Sequence, residues 1–445
     1  MAYSVSTFKT LLDKYSSWTE LEAFLSSTEG GKIRCVGTGR YRVLRSVKGS
    51  TTYDNEWSRW LRSVVWDTET HRPVCVAPPK AEIGEPTTGA MSQTLLIQDF
   101  MDGTMINVFR TETEFQVTTR TQIGASGSFY SKKSFYDMFL EGLTSMGCTL
   151  DELKNLLTVP EGSSAHFVSF LLQHPEHRVV SRCRSPKLYF VHEGTVATDG
   201  TVNMQENASP SFNNLSIIPY PMTGFASTSD LDSFFRSLVE HNKQGWFWQG
   251  LTFKDGQGRR WRMRNPNYLY LRTLRGSEAT AEDRFLRLRS EGKIQDYLKH
   301  YSEDRATFWD LEQILRSRTQ NIYMAYTDVH KARKLKLSEV QKLLQPFVFR
   351  LHAHYLENLR PAKKSVDLKE CIAVVNTSPL FELKRLLEFV VPVIAPGICP
   401  ICSKDYPPTT SDVNHGSCIQ QYLAANEGKE IEDFMRASLV EVKVA

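Results

Sequence analysis

The sequence predicts an α+β fold, in which an antiparallel β-rich domain precedes a helical domain and a small cysteine-bearing terminal segment. Three observations carry that expectation. Apolar and polar residues alternate in strand fashion over about 33–130, with turn signals at Asp102-Gly103 and Gly124-Ala-Ser-Gly127. From about Thr280 to Val391 the apolar spacing is helical almost throughout, broken at Pro346, Pro361 and Pro379. Of the eight cysteines, Cys399, Cys402 and Cys418 cluster near the C-terminal end, whereas Cys35, Cys75, Cys148, Cys183 and Cys371 are scattered. A chain of 445 residues exceeds one typical core, and the expected domains are 1–279, 280–392 and 393–445.

Taken in order, residues 1 to about 30 read as helical, with Phe8, Leu11, Leu12 and Tyr15, then Trp18, Leu21, Phe24 and Leu25, at helical spacing before Gly30-Gly31. After the first β region, Phe135, Met138, Phe139 and Leu143 share one face of a helix expected over Ser134–Gly147. His166–Pro175 and Lys187–Val191 read as buried strands, and the polar, turn-rich run Thr195–Asn214 as a long surface loop. Ser229-Asp-Leu-Asp can cap a helix over Ser229–Asn242. Gly250–Lys254 and Arg260–Arg264 are strands joined by the turn Asp255-Gly-Gln-Gly258.

Composition excludes several classes. With 41% hydrophobic and 23% charged residues the chain is an ordinary globular protein and not a disordered one. A net charge of +4 permits nucleic-acid binding only if the basic residues cluster. No signal peptide is visible in Met1-Ala-Tyr-Ser-Val-Ser-Thr-Phe8, and the apolar run from Phe389 is short and broken by prolines, so no membrane contact is expected. Scattered thiols beside one cluster fit a reducing compartment, cytoplasmic or nuclear.

The cluster has ligand spacing. Cys399-Pro-Ile-Cys402 is followed by His415-Gly-Ser-Cys418, and three thiolates with one imidazole suit a closed, tetrahedral structural zinc knuckle. The bland alternative is unrelated thiols beside a chance histidine. Basic residues gather at Arg259, Arg260, Arg262 and Arg264 with Arg272 and Arg275, interleaved with Trp261, Tyr268 and Tyr270. A second run holds Lys331, Arg333 and Lys334. Arginines alternating on a strand beside aromatics can track a phosphate backbone and stack bases. A solvated sheet face is the rival reading.

Several segments, in order, resemble the covalent nucleotidyltransferases, and among them the RNA ligases of bacteriophage type. Leu61-Arg-Ser-Val-Val-Trp-Asp67, Pro78-Pro-Lys-Ala-Glu-Ile-Gly-Glu85, Asp99-Phe-Met-Asp-Gly-Thr104 and Thr119-Arg-Thr-Gln-Ile-Gly-Ala-Ser126 are similar to successive motifs of that family. So are Phe170-Leu-Leu-Gln-His-Pro-Glu-His-Arg-Val-Val180, Trp248-Gln-Gly-Leu-Thr-Phe253 and Arg260-Trp-Arg-Met-Arg-Asn-Pro-Asn-Tyr268, so that the likeness spans roughly 35–275. The helical region adds a looser similarity to proteins of large DNA viruses, and with it a viral origin as an option.

The resemblance implies a nucleotidyltransferase-like domain binding ATP, magnesium and RNA, and it also marks departures. The family's nucleophilic lysine precedes Asp-Gly by two positions; here that position is Phe100, which cannot form a phosphoamide. A nucleotide-contacting glutamate is replaced by Leu171, a metal-holding glutamate by Gln249, and two phosphate-neutralising lysines by Arg262 and Arg264. The arginines keep the charge and can hold a phosphate bidentately. The expected phosphate-binding set is therefore Arg62, Lys80, Asp102, Gly103, Arg262 and Arg264, though Arg62 could instead form a surface salt bridge and Asp102 could serve only its turn. The favoured function is RNA or nucleotide binding without self-adenylylation. The rivals are an active ligase using Lys80 as a displaced nucleophile, and a structural protein whose cleft is filled by Phe100 and Leu171.

Overall fold

A computed structural model of the chain describes residues 1–86, 95–206, 209, 211–212, 215, 228–241, 245–388, 397–398, 405–406, 421 and 425. It divides into two compact units, Met1–Arg284 with Glu291–Asp304, and Phe285–Ser290 with Arg305–Ala445. The helical stretch Ile294–His300 thus belongs to the first unit.

Strands of the first unit are β1 (Ala2–Val5), β2 (Arg34–Val36), β3 (Tyr41–Arg45), β4 (Val64–Asp67), β5 (Arg72–Val76), β6 (Glu82–Ile83), β7 (Leu96–Asp99), β8 (Thr104–Arg110) and β9 (Phe115–Thr119). They continue with β10 (Ser163–Gln173), β11 (Lys187–Ala197), β12 (Val202–Glu206), β13 (Gly250–Lys254) and β14 (Arg260–Arg264). They form a sheet of order β1-β12-β11-β10-β8-β9, a sheet β6-β14-β13-β7 and a sheet β2-β3-β4-β5. Pairing is antiparallel throughout except β14 with β6.

The six-stranded sheet is covered on both faces, with Phe109, Phe167 and Val196 entering one core and Val108, Val168 and Phe190 the other. Ile106, Val108, Val168, Phe170 and Leu172 pack against Met138, Phe139 and Leu143 of the helix Phe135–Ser145. Ser134 caps that helix by accepting from the Asp137 N–H, and Thr149 with Glu152 forms a capping box on the next, Leu150–Leu156. A second core lies under β3, β4 and β5, where Phe8, Leu11, Leu21 and Leu25 of the N-terminal helices meet Val64, Val65 and Trp66. Burying one such side chain contributes about 1.5–3 kcal/mol.

Two sequence readings are corrected. The chain opens on a strand, because Ala2–Val5 pairs in register with Val202–Gln205. The supposed loop from Thr195 contains the end of β11 and all of β12, an alternating strand that buries Val202, Met204 and Glu206 and turns Asn203 to solvent. Both cases arise from long-range pairing, which local polarity does not report.

The second unit is helical. Phe308, Leu311, Leu315, Thr319, Ile322 and Tyr326 line the buried stripe of the helix Arg305–Tyr326, beside Gln345–His354, Leu368–Asn376 and Leu380–Glu388. A short hairpin pairs β15 (Gly397–Ile398) with β16 (Asp405–Tyr406). No helix among the described residues is long and apolar enough to cross a membrane.

Candidate functional site

The site begins with the strand pattern of β14. Trp261 and Met263 turn into a core with Ile97, Leu231, Phe235, Leu251 and Phe253, so Arg260, Arg262 and Arg264 must share the opposite face. The hairpin turn that precedes them is fixed by Asp255. Its carboxylate accepts from the N–H groups of Gln257 and Arg259 and pairs with the Arg259 guanidinium at 2.7 Å. Arg259 is therefore committed to the turn.

Arg260, Arg262 and Arg264 open onto a cavity of about 210 Å³ together with Arg62, Arg120 and Arg272. Among the described residues none of these six guanidinium groups has a carboxylate within ion-pair distance, and Asp102 is the one acidic residue in the lining. Four of them, Arg120, Arg260, Arg262 and Arg264, each hold a buried nitrogen without a protein hydrogen-bond partner. Buried donors left so typically cost about 1–3 kcal/mol each unless a ligand or solvent serves them. Burial and then repulsion from Arg120, Arg262 and Arg260 push the Arg62 guanidinium down to about 9. Burial followed by Arg262 and Arg272 brings Arg264 to about 10. Both stay charged at neutral pH, and the shifts reflect burial first and mutual repulsion second, each of which disfavours the charged form.

The link from β7 to β8 forms another wall. The sequence suggested a simple strand–turn–strand, but β7 lies in the four-stranded arginine sheet and β8 in the six-stranded sheet, so Phe100–Gly103 crosses between them. The Phe100 N–H donates to the Gly250 carbonyl at 2.8 Å, and its ring lies 6.0 Å from the Arg262 guanidinium and 5.4 Å from that of Arg264. Leu171 and Gln249 also line the cavity without closing it. Gly103 is required by close approach, since a Cβ there would stand 2.6 Å from the Leu172 carbonyl oxygen and 3.0 Å from Leu171 Cγ.

Asp102 is occupied elsewhere. One carboxylate oxygen accepts from the N–H groups of Val180 and Ser181, both at 2.9 Å, and the other from the Tyr268 hydroxyl at 2.8 Å. Tyr268 and Arg272 sit four residues apart on the helix Pro266–Arg275, which Asn265 caps. The pin that Asp102 provides thus also sets where Arg272 meets the cavity rim.

Lys80 is not in this cavity. Its ammonium lies 4.2 Å from the centre of the Tyr53 ring and borders a neighbouring cleft with Asp54, Arg59 and Gln257. Lys331, Arg333 and Lys334 belong to the second unit, where the Lys331 ammonium donates to the Val366 carbonyl at 2.6 Å. Cys399, Cys402, His415 and Cys418 lie outside the described residues, among which no group of three or more His, Cys, Asp or Glu is placed to hold a metal.

Sequence reasoning gave Arg120 no phosphate role and placed Arg272 only in the wider basic cluster. Arg120 closes β9 on the cavity side, a position that only the sheet order reveals. Arg272 is one turn beyond Tyr268, and that spacing was a readable signal.

No protein-family profile matches the sequence, and no curated protein matches it. Solved structures do overlap it loosely. Two forms of an archaeal ATP-dependent RNA ligase align over 68% and 67% of this chain and 83% and 82% of theirs, at 9% identity and TM-scores of 0.34 and 0.33. A protein of Aquifex aeolicus provisionally assigned as an ATP-dependent DNA ligase aligns over 76% of this chain and 80% of its own, at 10% identity and a TM-score of 0.31.

Proposed function

We propose that this chain binds the phosphates of an RNA or a nucleotide in the arginine cavity and does not charge itself with a nucleotide through a lysine. The observation that carries this is the meeting of six arginines, unrelieved by any carboxylate pair among the described residues, with a phenyl ring where a nucleophile would stand. Planar guanidinium groups can each present two donors to one phosphate, so the set matches a chain of phosphates better than a single anion. Water leaving so confined a space strengthens each contact.

The cavity does not suit a divalent cation held by the protein. Both Asp102 oxygens are taken by Val180, Ser181 and Tyr268, and Gln249 brings no charge. The open cavity speaks against a scaffold role with a filled cleft, and the stacking of Lys80 on Tyr53 speaks against a displaced nucleophile. For the C-terminal segment we propose a structural zinc on Cys399, Cys402, His415 and Cys418. The hairpin strands Gly397–Ile398 and Asp405–Tyr406 bracket the two cysteines of the first pair.

Three measurements on the full chain test this. Intact-mass analysis after incubation with ATP or GTP and magnesium or manganese is expected to show no adduct; an adduct that disappears in Lys80→Ala overturns the reading. Tripolyphosphate is expected to raise the melting temperature, by the equivalent of about 2.7 kcal/mol at ~100-fold excess over Kd, and not to do so in Arg262→Ala/Arg264→Ala. Elemental analysis is expected to find stoichiometric zinc that is lost in Cys402→Ser, and a metal-free chain overturns the zinc assignment.

A further inference from the structure

A groove of about 480 Å³ adjoins the arginine cavity and shares Arg120, Arg272, Gly103 and Met105 with it. Its far wall is aromatic. Phe129 and Tyr130 meet edge to face at 4.5 Å, and Phe135 approaches the His177 ring at 5.0 Å. Thr104, Thr119 and Ser128 add hydroxyl groups to the same lining.

The wall is held rigidly. Tyr130 has a φ of +65°, a conformation that a bulky side chain rarely adopts and that its surroundings must impose. Its hydroxyl donates to the Gly276 carbonyl at 3.0 Å, and the Arg275 guanidinium lies 4.5 Å from its ring centre. His177 ties the segment to β8. A carbonyl can only accept, so Nδ1 carries the proton and donates to Phe129 O at 2.6 Å, which leaves Nε2 to accept from the Thr104 hydroxyl at 2.9 Å. With both nitrogens engaged His177 acts as a strut. The result is a fixed aromatic shelf beside two arginines that also face the cavity.

We propose that this groove holds a nucleoside of a single-stranded oligonucleotide whose adjoining phosphates enter the arginine cavity. The site then takes a phosphodiester-linked strand in preference to a free nucleotide. The inference rests on the phosphate reading of the cavity and adds the aromatic shelf as the place of a base. Charge complementarity selects the occupant: a peptide or lipid chain would fill the apolar wall but leave Arg120 and Arg272 without anions. A strand supplies a ring for the shelf and a phosphate for the arginines at one backbone spacing.

The test compares fluorescein-labelled oligoadenylate, its deoxy counterpart, AMP and inorganic tripolyphosphate as ligands of the full-length chain. Wild type is expected to bind an oligonucleotide at least about tenfold more tightly than AMP, and the two backbones tell whether RNA or DNA is preferred. Phe129→Ala retains the carbonyl that His177 grips. It is expected to weaken oligonucleotide binding about tenfold, within the range of one base–aromatic stack, and to leave tripolyphosphate unchanged. Tyr130→Ala is expected to do the same. A 4-thiouridine-bearing oligonucleotide is expected to photocrosslink to wild type within residues 127–135, which gives the answer even if neither variant folds. Oligonucleotide binding that is absent, or that ignores both substitutions and crosslinks elsewhere, overturns the groove. If tripolyphosphate fails to bind while Phe129→Ala still weakens the oligonucleotide, the cavity reading falls and the groove stands.

Discussion

The Arg264 guanidinium lies 5.4 Å from the centre of the Phe100 ring, so the residue at the crossing between two sheets forms a wall for a cation. Such a contact contributes about 0.5–2 kcal/mol, more as water is excluded. Phe100→Lys would replace it with a seventh positive charge. The expected outcome is a lower melting temperature in phosphate-free buffer and a smaller loss when tripolyphosphate is present. Intact mass is expected to show no nucleotide adduct in that variant, because Leu171 and Gln249 bring no carboxylate to the cavity to assist the chemistry.

Asp102 joins three segments that are far apart in sequence, its partners lying 78, 79 and 166 residues away. Removal of the carboxylate leaves two buried N–H donors and a buried phenol unsatisfied. Asp102→Ala is expected to destabilise the chain by about 3 kcal/mol in urea unfolding, and Asp102→Asn by less, because the amide oxygen still accepts. A role confined to ligand contact would instead leave unfolding unchanged and lower only tripolyphosphate affinity.

Those separations explain what the sequence could and could not show. The alternation of Arg260, Arg262 and Arg264 with Trp261 and Met263 was legible, because a strand with one buried face leaves period two in the letters. The helix Phe135–Ser145 and the β13–β14 hairpin were legible for similar local reasons. That β7 and β8 enter different sheets was not, since partner choice depends on residues far along the chain. Lys80 shows the same limit from the other side: a motif fixed its place in sequence, but the turn of the backbone at Pro78-Pro79 puts those prolines on the cavity and borders a separate cleft with the lysine.

Lys254 and Glu206 form a fully buried ion pair at 2.5 Å, with the Tyr3 hydroxyl donating to the same carboxylate at 3.0 Å. Lys254→Met strands a buried carboxylate and is expected to cost about 3–5 kcal/mol. Lys254→Met/Glu206→Gln is expected to recover most of that loss in urea unfolding. Additive losses in the double variant would show that the two groups are not coupled.

Burial lowers the affinity of His177 for a proton, with the Phe129 carbonyl and Asp102 opposing and Arg275 reinforcing that effect; burial does the same at His192 against Glu206. A base whose folded value lies below its unfolded value contributes stability that is fully present above about pH 6.5 and is lost as pH falls through the folded value. The melting temperature is therefore expected to fall between pH 7.5 and 5.5. In His177→Gln that fall is expected to be smaller. An unchanged acid dependence would show that the strut of the aromatic shelf does not titrate in this window.

Arg62 faces Arg120, Arg262 and Arg260 across the cavity, and burial together with that repulsion holds it down to about 9. Its folded value lies below its unfolded one, so the unfavourable contribution is complete below about pH 9 and is relieved as pH rises above that towards the ordinary guanidinium range. At neutral pH the charged Arg62 guanidinium thus lowers the stability of the fold. Arg62→Leu is expected to raise the melting temperature in phosphate-free buffer by the equivalent of about 1 kcal/mol. The tripolyphosphate-induced rise is expected to shrink in the same variant. A variant less stable than wild type without phosphate, yet equally responsive to tripolyphosphate, would mean that Arg62 is a structural cation and that the anion sits among the β14 arginines without it.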